Sequence, residues 1–207
     1  MIKGVQRICF PCSLNSRLAK AGLVVGLAFA FVFLGSTIVA EELTTVIDFS
    51  SAEGGRRWRI VNDGVMGGLS QSQMKLTADQ TGVFEGTVSL ENNGGFASVR
   101  TEPADFGLAD FKGLELRFRG DGKRYQLRLR TDQAWDGIAY RTSFETVAKE
   151  WTTVRLDFQG FIPSFRGRRV SDAPALDPAQ IRQIGFLISD NQEGEFRLEL
   201  ASIKAYR

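Results

Sequence analysis

The chain contains no histidine. That absence removes Ser-His-Asp and Cys-His nucleophilic catalysis, His-ligated zinc and the usual proton shuttle at neutral pH. An enzyme built on this sequence would depend on carboxylates, Lys, Tyr or a cofactor. No acid/base pair can be picked out among the carboxylates. The chain therefore reads as non-enzymatic, with no catalytic residue, metal or cofactor assigned. Cysteine is nearly as scarce. Cys9 and Cys12 are the only two, and a single CxxC with no second pair is a weak metal or redox signal. No cysteine follows residue 40, so no disulfide staples the remaining ~165 residues, a length that can bury a sufficient core unaided.

A dominant charge is missing as well: 26 Lys and Arg stand against 24 Asp and Glu. The small basic excess belongs to the first 40 residues, which carry Lys3, Arg7, Arg17 and Lys20 and no acid. Without those four, 22 basic residues face 24 acidic ones, a net charge of −2. Such a balance creates no field that would gather nucleic acid, which is not expected as a partner.

The N-terminal segment has a separate character. From Ala21 to Ala40 it reads AGLVVGLAFAFVFLGSTIVA and is ended by Glu41-Glu42. A basic n-region, an apolar h-region and small residues near its end describe a secretory signal, with Ile38 and Ala40 at the cleavage-site positions. The run is also about long enough to span a bilayer, so an uncleaved anchor helix is the rival reading. Under either reading residues 44–207 are expected outside the cytoplasm, in the periplasm or an equivalent compartment. Membrane contact is then confined to residues 21–40, if they are retained.

Beyond residue 43 the pattern is of strands separated by turns. Leu114 to Arg119 (LELRFR) and Tyr125 to Arg130 (YQLRLR) alternate apolar and polar residues with period two, the mark of half-buried strands. Strands are also expected at 45–49, 58–61, 73–76, 83–90, 96–101, 138–145, 151–158, 184–189 and 196–206. Turn sequences rich in Gly, Asn and Asp separate them, at 91–95, 120–122, 136–137 and 191–194. Helical periodicity is absent except for a short DPAQIR at 177–182, where Asp177 can cap and Pro178 suits the first turn. Short strands at this spacing predict an all-β antiparallel sandwich or barrel.

Five blocks carry a family resemblance: Trp58 with NDGVMGGLS, FEGTVSLENNGGFASVR, LRFRGDGKRYQLRLR, WTTVRLDFQGFIPSFRGR and IGFLISDNQEGEFRLELASIKAYR. In this order they resemble the complex I intermediate-associated protein 30 family over nearly all of residues 44–207. The resemblance implies a galactose-binding-like jelly-roll. It also implies a protein partner, since the namesake is a mitochondrial assembly factor for respiratory complex I. Related chloroplast and bacterial domains include some fused to nucleotide-binding domains. This chain departs from them in its export-type leader and in having no Rossmann partner. The expected function is a protein-binding assembly or chaperone-like factor for a membrane complex. The alternative is an exported carbohydrate-binding, lectin-like domain.

Several residues are candidates for a binding surface. In NDGVMGGLSQS, a phosphate loop would need a Lys-Ser/Thr and a following helix, and a Ser70 nucleophile would need a base. The stretch is either a tight buried loop or part of a ligand surface that includes Asn62, Asp63, Met66 and Ser70. Asn93, in NNGG, reads as part of a hairpin turn that could join them. Arg117, Arg119, Arg128 and Arg130 are expected on the outward faces of two neighbouring strands, answered by Glu115, Asp157 and Glu199 or by an acidic ligand. Trp135, beside Asp132 and Asp136, could grip a sugar ring, whereas Trp151 is expected in the core. Calcium at Asp121, Asp132 and Asp136 lacks regular ligand spacing.

Overall fold

The computed structural model describes residues 42–51, 58–133 and 136–207. The apolar leader and Trp135 lie outside the described residues. Among the described residues no helix is long and apolar enough to cross a membrane.

The strands form two antiparallel sheets, as the alternation predicts. Sheet I contains β1 (Leu43–Asp48), β3 (Gln71–Leu76), β4 (Gly82–Val88), β6 (Gly113–Arg119), β9 (Trp151–Asp157) and β13 (Gly194–Tyr206). Sheet II contains β2 (Trp58–Ile60), β5 (Ala97–Thr101), β7 (Arg124–Arg130), β8 (Ala139–Glu145), β10 (Ile162–Phe165), β11 (Arg168–Arg169) and β12 (Gln183–Ile188). The order in sheet I is β3-β4-β13-β6-β9, with β1 also against β13. In sheet II it is β11-β10-β8-β7-β12-β5-β2. The long β13 pairs with β4 through its first half and with β1 through its second, and β6 takes its other edge. The DPAQIR segment is a single 3-10 turn, Pro178–Gln180, with the Asp177 carboxylate accepting from the Ala179 amide at 3.0 Å.

Most turns cross from one sheet to the other. β4 and β5 lie in different sheets, so NNGG is a crossover and not the expected hairpin. The same holds for β6 and β7, so the two strands of the arginine stripe are not neighbours. Asn92, Asn93 and Gly95 do have positive φ. Such turns reverse the chain without specifying whether the next strand pairs with the last one or starts the facing sheet. β10 escapes the sequence pattern because it is short and contains Pro163.

A chain of aromatic rings stitches the sheets together. Phe144 of β8 lies 4.8 Å from Phe118 of β6, 6.1 Å from Tyr125 and 6.4 Å from Phe186, centroid to centroid. Trp58 stacks on Phe49 at 5.9 Å and reaches Phe186 at 6.1 Å; Phe84 and Phe196 meet at 4.9 Å. Tyr125 is fully buried, and its hydroxyl donates to the Asp121 carboxylate at 2.9 Å. Burial, then the negative charge of Asp121, pushes the Tyr125 phenol far above its ordinary pKa.

Trp151 is not in this core. It pairs with Arg119 across β6 and β9 and so faces outward, where it is 39% exposed. The inward positions of β9 are Val154 and Leu156, which pack against the core, and the two-residue period assigns Trp151 to the face of Arg155 and Asp157.

Because Phe144 bridges both sheets, Phe144→Ala is expected to cost about 3–5 kcal/mol. Urea unfolding should show a lower midpoint with an unchanged slope.

Candidate functional site

The NDGVMGGLS and NNGG blocks meet at one carboxylate. Asp63 has 0% exposure. Its carboxylate accepts from the Ser70 amide at 3.0 Å, the Ser70 hydroxyl at 2.5 Å, the Gly95 amide at 2.8 Å and the Phe96 amide at 3.2 Å. Burial opposes ionisation, but the bonds from Ser70, Gly95 and Phe96 outweigh it and hold the carboxyl below the usual range. Two glycines leave room for it. A Cβ on Gly68 would stand 2.4 Å from the Asp63 Cγ, and one on Gly94 would stand 2.8 Å from its Oδ2. Asn62 adds a second layer: its Oδ1 accepts from the Ser72 hydroxyl at 2.8 Å and the Ser98 amide at 3.3 Å. Asn62, Asp63 and Ser70 therefore hold the loops together. Met66 behaves differently; it is 59% exposed at the tip of the 3-10 turn Asp63–Met66, beside exposed Val65.

The arginine stripe divides between the two outer faces. On sheet I, Arg119 pairs with Glu199 at 2.8 Å and Arg155 with Glu115 at 2.9 Å. Glu85 takes both Lys75 and Arg197. The guanidinium carbons of Arg117 and Arg119 lie 5.8 and 5.0 Å from the Trp151 ring centroid. Asp157 instead accepts from the Tyr206 hydroxyl at 2.5 Å.

Sheet II is different. Its outer face holds a groove of about 620 Å³, within the range of small-ligand sites. Arg100, Arg128, Arg130, Arg141 and Arg166 line it, with Gln126, Gln183 and several serines, and Val65 and Met66 contribute to its lining. Asp136 is engaged by Arg166 at 2.8 Å, which is the main reason its carboxyl is held below the usual range. The Arg130 guanidinium donates to the Gly137 carbonyl at 3.2 Å. Burial, then the charges of Arg130 and Arg59, lowers Arg100 to about 10, against the opposing pull of Asp136 and Asp132. Arg128 is also lowered to about 10, by burial and by Arg130, Arg141 and Arg100, with no carboxylate in opposition. Both remain cationic at neutral pH.

Sequence reading missed Arg100, Arg141 and Gln183. Ser98 and Arg100 alternate with Ala97 and Val99, so their outward direction is legible, but nothing in the sequence places β5 two strands from β7. Asn93 is exposed and does not line the groove. Asp121 serves the fold, accepting from Tyr125 and from the Arg197 amide at 2.8 Å. Among the described residues no group of three or more acidic, His or Cys side chains could hold a metal.

A family model described as complex I intermediate-associated protein 30 matches residues 47–200. An uncharacterized protein of Schizosaccharomyces pombe is 33% identical over 168 residues, covering 72% of this chain and 77% of that protein. The mitochondrial complex I intermediate-associated protein 30 of Drosophila melanogaster is 24% identical over 181 residues, 77% of this chain. That match spans 61% of the fly protein's length. Among solved structures, a family 11 carbohydrate-binding module of Clostridium thermocellum, in complex with a mixed-linked tetrasaccharide, shares the fold. The TM-score is 0.58 at 15% identity, covering 80% of this chain and 96% of the module.

Replacing Asp63 with Asn removes the charge that gathers these donors, at an expected cost of about 3 kcal/mol. Because the folded-state pKa is depressed, the carboxylate's contribution is complete above about pH 4 and is lost as pH falls through the folded value. The stability gap between wild type and Asp63→Asn, measured by urea unfolding, should be widest at neutral pH and close on acidification.

Proposed function

The chain belongs to the complex I intermediate-associated protein 30 family, and from that membership we propose a non-enzymatic binding module that holds a subunit of a membrane complex during assembly. The binding surface is the outer groove of sheet II. The observation that carries this reading is the contrast between the two faces: sheet I pairs Lys75, Arg119, Arg155 and Arg197 with Glu85, Glu115 and Glu199, while sheet II gathers five arginines in a concavity edged by Val65 and Met66. A concavity in which arginines outnumber carboxylates, with an apolar lip, suits an interface core. The reading that the N-terminal run is an export signal or anchor supports a domain outside the cytoplasm, where it would meet a subunit at the membrane surface.

The alternative is an exported carbohydrate-binding domain of the jelly-roll type. It is supported by the fold shared with the family 11 module and by the Gln and Ser side chains of the groove.

Photo-crosslinking separates the readings. With benzoylphenylalanine at Met66, specific membrane-complex subunits are expected from native membranes, and the same group at Lys75, on sheet I, should recover none of them. Recovery from Lys75 alone would move the interface to the other face. Glycan-array binding with no protein adduct at either position would favour the alternative.

A further inference from the structure

The groove contains a specific arrangement. Register places Arg59, Arg100, Gly185, Arg128, Arg141 and Ile162 in one row across β2, β5, β12, β7, β8 and β10. Directly paired residues point to the same face, so Arg100 and Arg128 flank a position with no side chain. Two strand spacings separate their roots by about 10 Å. The gap cannot be filled: a Cβ on Gly185 would stand 2.6 Å from the Val99 carbonyl oxygen and 2.9 Å from the Arg100 Cβ. Gly185 has an ordinary backbone conformation, so room and not torsional freedom requires glycine here.

The row is left with unmet demands. Among the described residues the Arg128 side chain makes no hydrogen bond or ion pair, and Arg141 has a buried Nε without an acceptor. Like charges on adjacent strands repel, and burying them is costly unless something neutralises them. Guanidinium groups pair most strongly with oxyanions, carboxylates above all among protein side chains. Two residues away along β12, and so on the same face as Gly185, Gln183 is 6% exposed. Its Nε2 donates to the Thr101 carbonyl at 3.2 Å, which fixes the amide orientation and leaves Oε1 without a donor. What Arg128 and Arg141 lack is an anion and what Gln183 lacks, beside them, is an N–H. An acidic side chain on an extended peptide brings both.

We propose that Arg100, Arg128 and Arg141 form a carboxylate subsite over Gly185, and that it takes an Asp or Glu of an extended partner segment whose backbone N–H donates to Gln183. This rests on the assembly-factor reading and names the chemistry of the partner. The arginines then serve binding at the expense of the free fold, which a purely structural arginine would not do.

The test uses the full chain and fluorescein-labelled hexaglutamate, followed by anisotropy at low salt. Saturable binding is expected. Arg128→Gln with Arg141→Gln should weaken it by about tenfold or more, the loss expected for charge-assisted hydrogen bonds. Arg117→Gln with Arg119→Gln should leave it essentially unchanged. A second readout is thermal melting: Arg128→Gln alone should melt at or above the wild-type temperature, because it relieves repulsion. A clear fall in melting temperature, or unchanged hexaglutamate affinity in the double variant, overturns the subsite. If crosslinks from Met66 persist in that event, the assembly-factor reading survives without it. If the crosslinks are absent while hexaglutamate binds through Arg128 and Arg141, the anion site stands and that reading fails. Stronger competition by trigalacturonate than by unlabelled hexaglutamate, at equal carboxylate concentration, would assign the site to an acidic saccharide and overturn the peptide.

Discussion

Asp63 is fully buried, and its charge stays in the interior because Ser70, Gly95 and Phe96 all donate to it. A buried carboxylate left unpaired would be expelled or protonated. Here the need for donors draws two loops that are distant in sequence onto one point. One loop connects β2 to β3, from sheet II to sheet I; the other connects β4 to β5, in the reverse direction. The carboxylate therefore anchors both crossings at this end of the sandwich. Gly68 and Gly94 follow from it, since a side chain at either position would occupy the carboxylate's space.

That anchor also shapes the candidate site. With Asn62, Asp63 and Ser70 committed to internal hydrogen bonds, the intervening residues Val65 and Met66 are pushed outward to the rim of the groove. The same motif is thus structural at its ends and exposed at its middle. Across the sandwich, the two outer faces divide the labour by charge. Sheet I pairs Arg119, Arg155 and Arg197 with Glu199, Glu115 and Glu85. Sheet II concentrates arginine where its acidic groups are already engaged, Asp136 by Arg166 and Asp190 by Arg124.

The strand content and the inward direction of Leu114, Leu116, Phe118, Leu127 and Leu129 were legible from period-two alternation, which left sandwich and barrel open; the family resemblance implied the sandwich. So was the cap at Asp177, because capping depends on neighbours a few residues away. The arginine stripe shows the limit. Arg117, Arg119, Arg128 and Arg130 do point outward, but onto opposite faces of the molecule, because a Gly-Asp-Gly turn reads the same whether it closes a hairpin or crosses between sheets. Trp151 is a smaller case: hydrophobicity suggested the core, while parity with Arg155 and Asp157 put it outside.

The amino-acid sequence alone determined the class of fold, the lack of histidine, the lack of cysteine after residue 40, and the family. Each of these depends on composition or on interactions within a few residues. Only the tertiary structure decided that Arg100, Arg128 and Arg141 share one row with Gly185 between them, and that Asp63 ties together residues more than thirty positions apart. Cross-strand register is set by the packing of whole sheets, and no local pattern records which strand becomes the neighbour of which.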